Sequence, residues 1–308
     1  MAKISIIVSV YNEEKVLPVY YQSARAALDG IEEEYELIFI NDGSRDATKR
    51  ILDDLAAADS RVKVVHFARN FGQQAGFYCG ITLASGDAVI TMDVDLQDPP
   101  SLIPEMIKKW KEGYEIVHTH RKKRLGETAF KRFTAGAFYK FARKITGLAL
   151  PQEVGNYKLL DRKVVDYLKD MGEHDRFWCS QIAWLGFSQA TIDFERPARA
   201  AGETKYTAKK LVKIAANGIF PNTDYPLTLS FKCGIVGAIA SLLCFITFIV
   251  LTCLQIGFGG LVAWLFPTVG LVGSLILLGQ GISNIYLYMT YKETQNRPNY
   301  VVSEKINF

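Results

Sequence analysis

The stretch SGDAVITMDVDLQDPP, Ser85–Pro100, runs an apolar segment straight into three carboxylates, Asp93, Asp95 and Asp98. Its first part is short and rich in Val and Ile, the pattern of a buried strand. A carboxylate beside a core has to be paired or solvated. Three at the end of one strand therefore call for a partner, and a bound cation supplies it. Along an extended chain side chains alternate, so residues 93, 95 and 97 are expected to share a face. Two carboxylates and the Gln97 amide oxygen then make an all-oxygen cluster. That set suits Mg²⁺ or Mn²⁺, which take one or two carboxylates and complete their shell with phosphate oxygens and water. The loop pattern of a calcium EF-hand is absent.

Three similar runs precede it: KISIIVSVY (3–11), YELIFIND (35–42) and VKVVHFARN (62–70). Helix-like stretches separate them, EEKVLPVYYQSARAAL (13–28) and DATKRILDDLAAAD (46–59). The alternation predicts a mostly parallel sheet covered on both faces. Such sheets bind ligands at the carboxyl ends of their strands, near a switch in strand order. Asn12, Asp42, Arg69 and Asp93 lie at those ends and are expected to converge on one rim.

With 308 residues, 49% hydrophobic and 22% charged, the chain is neither disordered nor disulfide-dense. The net charge is only +4, but from Cys233 to Tyr291 there is no Asp, Glu, Lys or Arg. A span needs about 20 apolar residues, so the stretch holds two, placed at about 231–254 and 261–290 with QIGFGG as the turn. Lys210, Lys213 and Lys232 precede the pair; Lys292 and Arg297 follow it. The bias of basic residues puts both flanks in the cytoplasm. The first apolar run, ISIIVSV, leads directly into YNEE without a cleavage site, so it does not read as a signal peptide. The cysteines at 79, 179, 233, 244 and 253 are odd in number and lack CxxC spacing, and read as reduced packing residues.

Between Arg121 and Lys144 there are nine basic residues and one acidic residue. Phe130, Phe133, Ala137, Phe138, Phe141 and Ile145 recur within this region at helical spacing, giving an aromatic face with a basic remainder. A second basic stretch, KYTAKKLVKIAANGIF, starts at Lys205. Beside a membrane anchor such helices lie in the headgroup plane; packing of the aromatic face on the sheet is the alternative. No stacking-platform or groove-reading motif accompanies the basic residues, which argues against a nucleic-acid partner.

Five motifs in order, VSVYNEE (8–14), INDGSRDAT (40–48), ARNFGQQAG (68–76), SGDAVITMDVDLQDPP (85–100) and GETKY (202–206), resemble family 2 glycosyltransferases of the dolichyl-phosphate mannose synthase type. The likeness is greatest to bacterial polyprenyl-phosphate glycosyltransferases and covers about 1–230. It implies a GT-A fold, Rossmann-like with a mostly parallel sheet, a nucleotide-sugar donor, a divalent metal and inversion at the anomeric carbon. By motif, Tyr11, Glu13 and Asp42 would hold the base and ribose, and Asp93 would sit beside the ribose and diphosphate. Asp95 and Gln97, with Asp93, would serve the metal. Arg121, Arg199 and Lys205 would receive the phosphate of the lipid acceptor. Two positions depart from the pattern: Ser9 stands where Pro is common, and Asn156 in EVGNYKLLDRK stands at an acidic position. An amide cannot accept a proton as a base, but a phosphate monoester with its second pKa near ~6 arrives already ionised. Asn156 would then orient the acceptor through its NH₂ donor.

These readings predict a catalytic domain over 1–200, an interfacial acceptor segment over 201–230, two spans within 231–291 and a cytoplasmic tail over 292–308. The expected function is transfer of one sugar from a UDP- or GDP-sugar to polyprenyl phosphate at the cytoplasmic face of the plasma (inner) membrane, for envelope glycan modification. A processive polysaccharide synthase is a rival, although its QxxRW motif is absent. A non-catalytic nucleotide-sugar-binding scaffold is another. Association of several copies is left open.

Overall fold

The computed structural model describes residues 1–121, 154–173, 178–195, 223, 225–254 and 259–308. The chain divides into two units, Met1–Leu211 with Pro298–Phe308, and Val212–Arg297. Most of the aromatic basic helix expected after Arg121, the stretch from Lys205, Arg199 and the four residues 255–258 lie outside the described residues.

The first unit is built on an eight-stranded sheet of order β7-β5-β6-β4-β1-β2-β3-β8. Strands β1 (Lys3–Val10), β2 (Glu34–Asn41), β3 (Val62–Phe67) and β4 (Ala88–Asp93) are mutually parallel and form its centre. β6 (Val154–Asp161) runs antiparallel between β4 and β5 (Ile116–Arg121). β7 (Gln189–Phe194) lies parallel to β5 at one edge. The sheet is mostly parallel, as the motif resemblance implied.

Alternation along β1 shows why this sequence makes a central strand. Ile4, Ile6, Val8 and Val10 enter one core, with Leu17, Tyr20, Ala24 and Leu28 of helix α1 (Leu17–Leu28). Leu52 of α2 (Thr48–Ala58) and Ile103, Met106 and Ile107 of α4 (Ile103–Lys111) join them. Ile7 points the other way, to a second core with Phe77 and Ile81 of α3 (Gln73–Leu83), Val164 and Val165 of α5 (Arg162–Asp170) and Ile182 of α6 (Trp178–Leu185). A strand buried on both faces has no solvent side to mark with polar residues, hence the nearly continuous apolar runs.

Helix α3 approaches β1 unusually closely. A Cβ at Gly76 would stand 2.4 Å from Ser9 Oγ, and one at Gly80 2.2 Å from Ile7 Cγ2. These two glycines, one helical turn apart, let the helix lie down on the sheet and bring its first residue, Gln73, to the rim.

The last residues return to the sheet. Strand β8 (Val302–Ile306) pairs antiparallel with β3, Val64 opposite Ile306 and Phe67 opposite Val302. Within the stretch expected to be a cytoplasmic tail, 292–308, residues 298–308 thus belong to the first unit. Hydropathy shows only that this segment is not a span; pairing with an edge strand of the sheet, far away in sequence, was not visible in it.

The second unit contains α7 (Tyr225–Cys253) and α8 (Gly259–Thr294). Windows of 23 and 26 residues within them, Tyr225–Thr247 and Val269–Thr294, are long and apolar enough to cross a membrane. At about 1.5 Å per residue the shorter is ~35 Å long, against a hydrocarbon core of ~30 Å. Their apolar side chains are outward, with Phe231 at 71% and Leu277 at 73% exposure, a surface that calls for a nonaqueous surrounding.

Candidate active site

The chain lays β1, β2 and β3 side by side and then crosses back to place β4 on the other side of β1. That reversal opens a crevice between the carboxyl ends of β1 and β4, the place where open α/β sheets bind ligands. Asp93, the last residue of β4, is in register with Ser9 there.

Beyond Asp93 the strand stops. Leu96 has φ of +58°, in the left-handed region, and the Asp95 Oδ1 accepts the Gln97 N–H at 3.1 Å. A short side chain capping the amide two residues on is the usual chemistry of such a turn. The expectation that 93, 95 and 97 share one strand face is therefore overturned: the segment leaves extended conformation after Asp93, and period-two alternation ends with it. Asp93 and Asp95 remain half-buried beside the crevice, while Gln97 is buried at 8% exposure and Asp98 fully. Tyr157 pins the far side of the turn, its hydroxyl donating to the Pro99 carbonyl at 3.0 Å.

Asp93 is tied to Asn156 through a residue to which the motifs gave no role. Gln73 Nε2 donates to Asp93 Oδ1 at 2.6 Å, and Asn156 Nδ2 donates to Gln73 Oε1 at 3.2 Å. Asn156 is itself held by its backbone, whose carbonyl accepts the Thr91 hydroxyl at 2.5 Å. Three strand and helix termini thus share one directional relay, Asn156 to Gln73 to Asp93. Behind it the molecule closes: a cavity of ≈ 10 Å³, lined in part by Thr91, Asn156, Lys158 and Trp178, has room for about one water. Gln73 lay within the ARNFGQQAG motif; its place at the start of a helix following a strand–loop was the available signal.

The loops after β1 and β2 are laced together. Asn12, in the left-handed region at φ +55°, donates its N–H to Ser44 Oγ at 3.0 Å and accepts the Arg45 N–H on Oδ1 at 2.9 Å. The Glu13 N–H donates to Thr48 Oγ1 at 3.0 Å, and the Glu14 carboxylate accepts the Ala47 N–H at 3.0 Å. Tyr11, between them, is 39% exposed. His66 closes the network from below: its Nδ1 accepts from Asn41 Nδ2 at 2.9 Å while Asn41 Oδ1 receives the Ser44 N–H at 3.0 Å. With Nδ1 accepting, Nε2 carries the proton donated to Asp53 Oδ1 at 2.8 Å.

Asp42 is placed differently from the other rim residues. It is 2% exposed, and its two oxygens accept the N–H groups of Phe71 at 2.6 Å and Gly72 at 2.9 Å. Burial pushes its carboxyl pKa up, against those two amides and nearby Arg69, which pull it down. Gly43 follows at φ +68°, where a Cβ would fall 2.5 Å from the Arg69 carbonyl carbon. Asp42 therefore holds the loop 68–72 against the β2 end. The backbone of Arg121 ends β5, whereas Arg199 and Lys205 lie outside the described residues.

Among the described residues no group of three or more His, Cys, Asp or Glu side chains could hold a metal unaided. Two half-buried carboxylates on a rim fit instead a cation that takes the rest of its shell from a bound phosphate group.

A family model described as "Glycosyl transferase family 2" matches residues 5–168, which run from β1 into α5 and contain the whole rim. An uncharacterized glycosyltransferase of Bacillus subtilis, YkcC, is 40% identical over 97% of this chain and 93% of its own length. A protein of Escherichia coli K12 named prophage bactoprenol glucosyl transferase homolog is 36% identical over 97% and 98%. The bactoprenol glucosyl transferase of Shigella phage SfII is 36% identical over 98% of each chain. A solved structure of glucosyl-3-phosphoglycerate synthase from Mycobacterium tuberculosis, in complex with Mn²⁺ and UDP, is a more distant likeness, 18% identical with a TM-score of 0.46 over 71% of this chain and 78% of that one. The family match across more than half of the chain and the full-length relatives together decide the matter: this chain is a member of glycosyl transferase family 2.

Proposed function

We propose that the protein transfers one sugar from a nucleotide-sugar to polyprenyl phosphate, with the catalytic unit on the cytoplasmic side of the membrane that α7 and α8 cross. The observation that carries this reading is full-length likeness to proteins named bactoprenol glucosyl transferases, spans included. The exposed Tyr11 and the laced loops behind it offer a ledge for the base and ribose at the β1 and β2 ends. Asp93 and Asp95 would hold Mg²⁺ or Mn²⁺, which supplies charge neutralisation to the leaving diphosphate. Asp42, with its oxygens committed to the 68–72 loop, shapes the donor pocket rather than reaching the base through both of them. Arg121, Arg199 and Lys205 are the proposed seat of the acceptor phosphate.

The acceptor is largely dianionic above about pH 6, so it needs placement and relief from repulsion more than removal of a proton. Asn156 fits that demand. Its Nδ2 carries two hydrogens, and only one is used on Gln73. The other is a donor for an incoming oxygen.

Incubating membranes containing the protein with a panel of labelled UDP- and GDP-sugars, then extracting lipid, tests the proposal. One sugar on a polyprenyl phosphate supports it. A long polymer would favour a processive synthase, and no transfer with intact nucleotide-sugar binding a scaffold.

A further inference from the structure

Residues 298–308 lie outside the matched family segment and follow directly on the last long helix. Their pairing with β3 covers a sheet edge, which by itself explains a strand there. It does not explain Tyr300, which precedes the strand. The Tyr300 ring stacks on Phe67 with centroids 5.0 Å apart and planes 13° from parallel, and meets Tyr78 edge-on at 6.1 Å. Phe67 in turn meets Phe71 edge-on at 5.8 Å, and the Arg69 guanidinium covers the Phe71 ring at 4.1 Å. Phe71 is the residue whose N–H binds Asp42. The backbone follows the same course: the Val301 carbonyl accepts the Ala68 N–H at 3.0 Å, and Ser303 Oγ donates to the His66 carbonyl at 2.9 Å. Residues 300–303 thus grip the end of β3 and the loop 68–72 from outside, and Asp42 grips the same loop from inside.

We infer that Tyr300 is a positioning residue for the nucleotide-sugar: through the Phe67–Phe71 ring series it fixes the loop that Asp42 holds, so that the C-terminal strand is part of the donor pocket's frame. The inference rests on the reading of the β1 and β2 ends as the donor site. Chemically it requires that loss of the ring loosens donor binding while leaving the reacting groups, Asp93, Asp95 and Asn156, in place. Edge cover alone makes the opposite demand, because the β3–β8 ladder survives any change at position 300.

The experiment uses the full chain in detergent or membranes and compares wild type with Tyr300→Leu, Tyr300→Phe and Asp42→Ala. Steady-state transfer and equilibrium binding of UDP and GDP are measured alongside thermal melting. Tyr300→Leu keeps apolar bulk for folding but removes the stack. It should raise the donor KM, and the Kd of the nucleotide that binds, by about three- to tenfold, the scale of losing an aromatic pair. Its kcat and acceptor KM should stay within about twofold. Tyr300→Phe keeps the ring and should restore the donor KM. If Tyr300→Leu lowers the melting temperature but binds donor like wild type, while Asp42→Ala is impaired, the positioning role is overturned and the strand is edge cover only. If neither variant changes donor binding, the donor-site assignment itself falls, and the inference with it.

Discussion

Asn156→Asp tests the relay directly, because the substitution changes one NH₂ into an oxygen and alters almost nothing else in size. In the native arrangement Asn156 donates to Gln73 Oε1, which leaves Gln73 Nε2 to donate to Asp93. A carboxylate at 156 faces Gln73 Oε1 with a lone pair against a lone pair. The Gln73 amide then turns over to give its NH₂ to the new carboxylate, and presents its oxygen to Asp93. The loss is the 2.6 Å bond to a charged acceptor, a class of bond worth ~1.5–3 kcal/mol. Carried into the transition state that is about 10- to 150-fold in rate. Asn156→Ala removes the neutral bond to Gln73, worth ~0.5–1.5 kcal/mol, or about 2- to 12-fold, together with the donor for the incoming phosphate oxygen, a loss that Asn156→Asp shares. The expected order of rates is therefore wild type, then Asn156→Ala, then Asn156→Asp. Gln73→Ala should fall near Asn156→Asp. Single-turnover transfer of labelled sugar to one polyprenyl phosphate, measured from pH 5 to 9, reads all four. The rate should rise with pH only through the acceptor's own ionisation near ~6. A rate above wild type for Asn156→Asp, or a new pH limb in that variant alone, would show that the position lacks a base and would refute the relay.

Asp95→Ala should lower turnover by at least ~10³-fold, the scale of losing a principal electrostatic stabiliser, and excess chelator should do the same to the native protein; full activity in chelator rules out the metal. Arg199→Ala and Lys205→Ala should each weaken acceptor use by ~1.5–3 kcal/mol and leave donor binding within a few-fold, and a collapse of donor binding with unchanged acceptor kinetics would reverse the assignment. Glu36 tests the fold: burial raises its carboxyl pKa, but hydrogen bonds from Lys63, Ser5, the Ser85 N–H and Lys3 outweigh that and hold it at about 2. Its folded pKa is thus below the ordinary value of 4.5, so the stabilisation is present above that value and lost as pH falls toward 2, in total roughly 3 kcal/mol. Denaturant melts at pH 7 and pH 3 should show Glu36→Gln less stable at the higher pH and less sensitive to the change; equal pH sensitivity in both proteins contradicts this account.

The sequence by itself determined those features that repeat over a few residues or occur in a fixed order. Apolar runs of strand length, separated by helical ones, gave β1 to β4 and their parallel arrangement. A stretch without a charge from Cys233 to Tyr291 gave both long helices, because the cost of a charge in hydrocarbon is legible in composition. The ordered motifs placed Asp93, Asp42 and Asn12 at strand ends. Tertiary structure decided what depends on partners remote in the chain. Ser303 bonds to His66 across 237 residues, and Asn156 to Gln73 across 83. Antiparallel β6 enters beside β4, and β8 comes from the far end of the chain. No local period encodes such pairings, since they are selected by edge pairing and by the fit of side chains after collapse. The turn at Leu96 is the same lesson at short range. Alternation predicts where side chains point only while the backbone stays extended, and here the chain turns after Asp93 and passes through the left-handed region at Leu96, within the acidic motif itself.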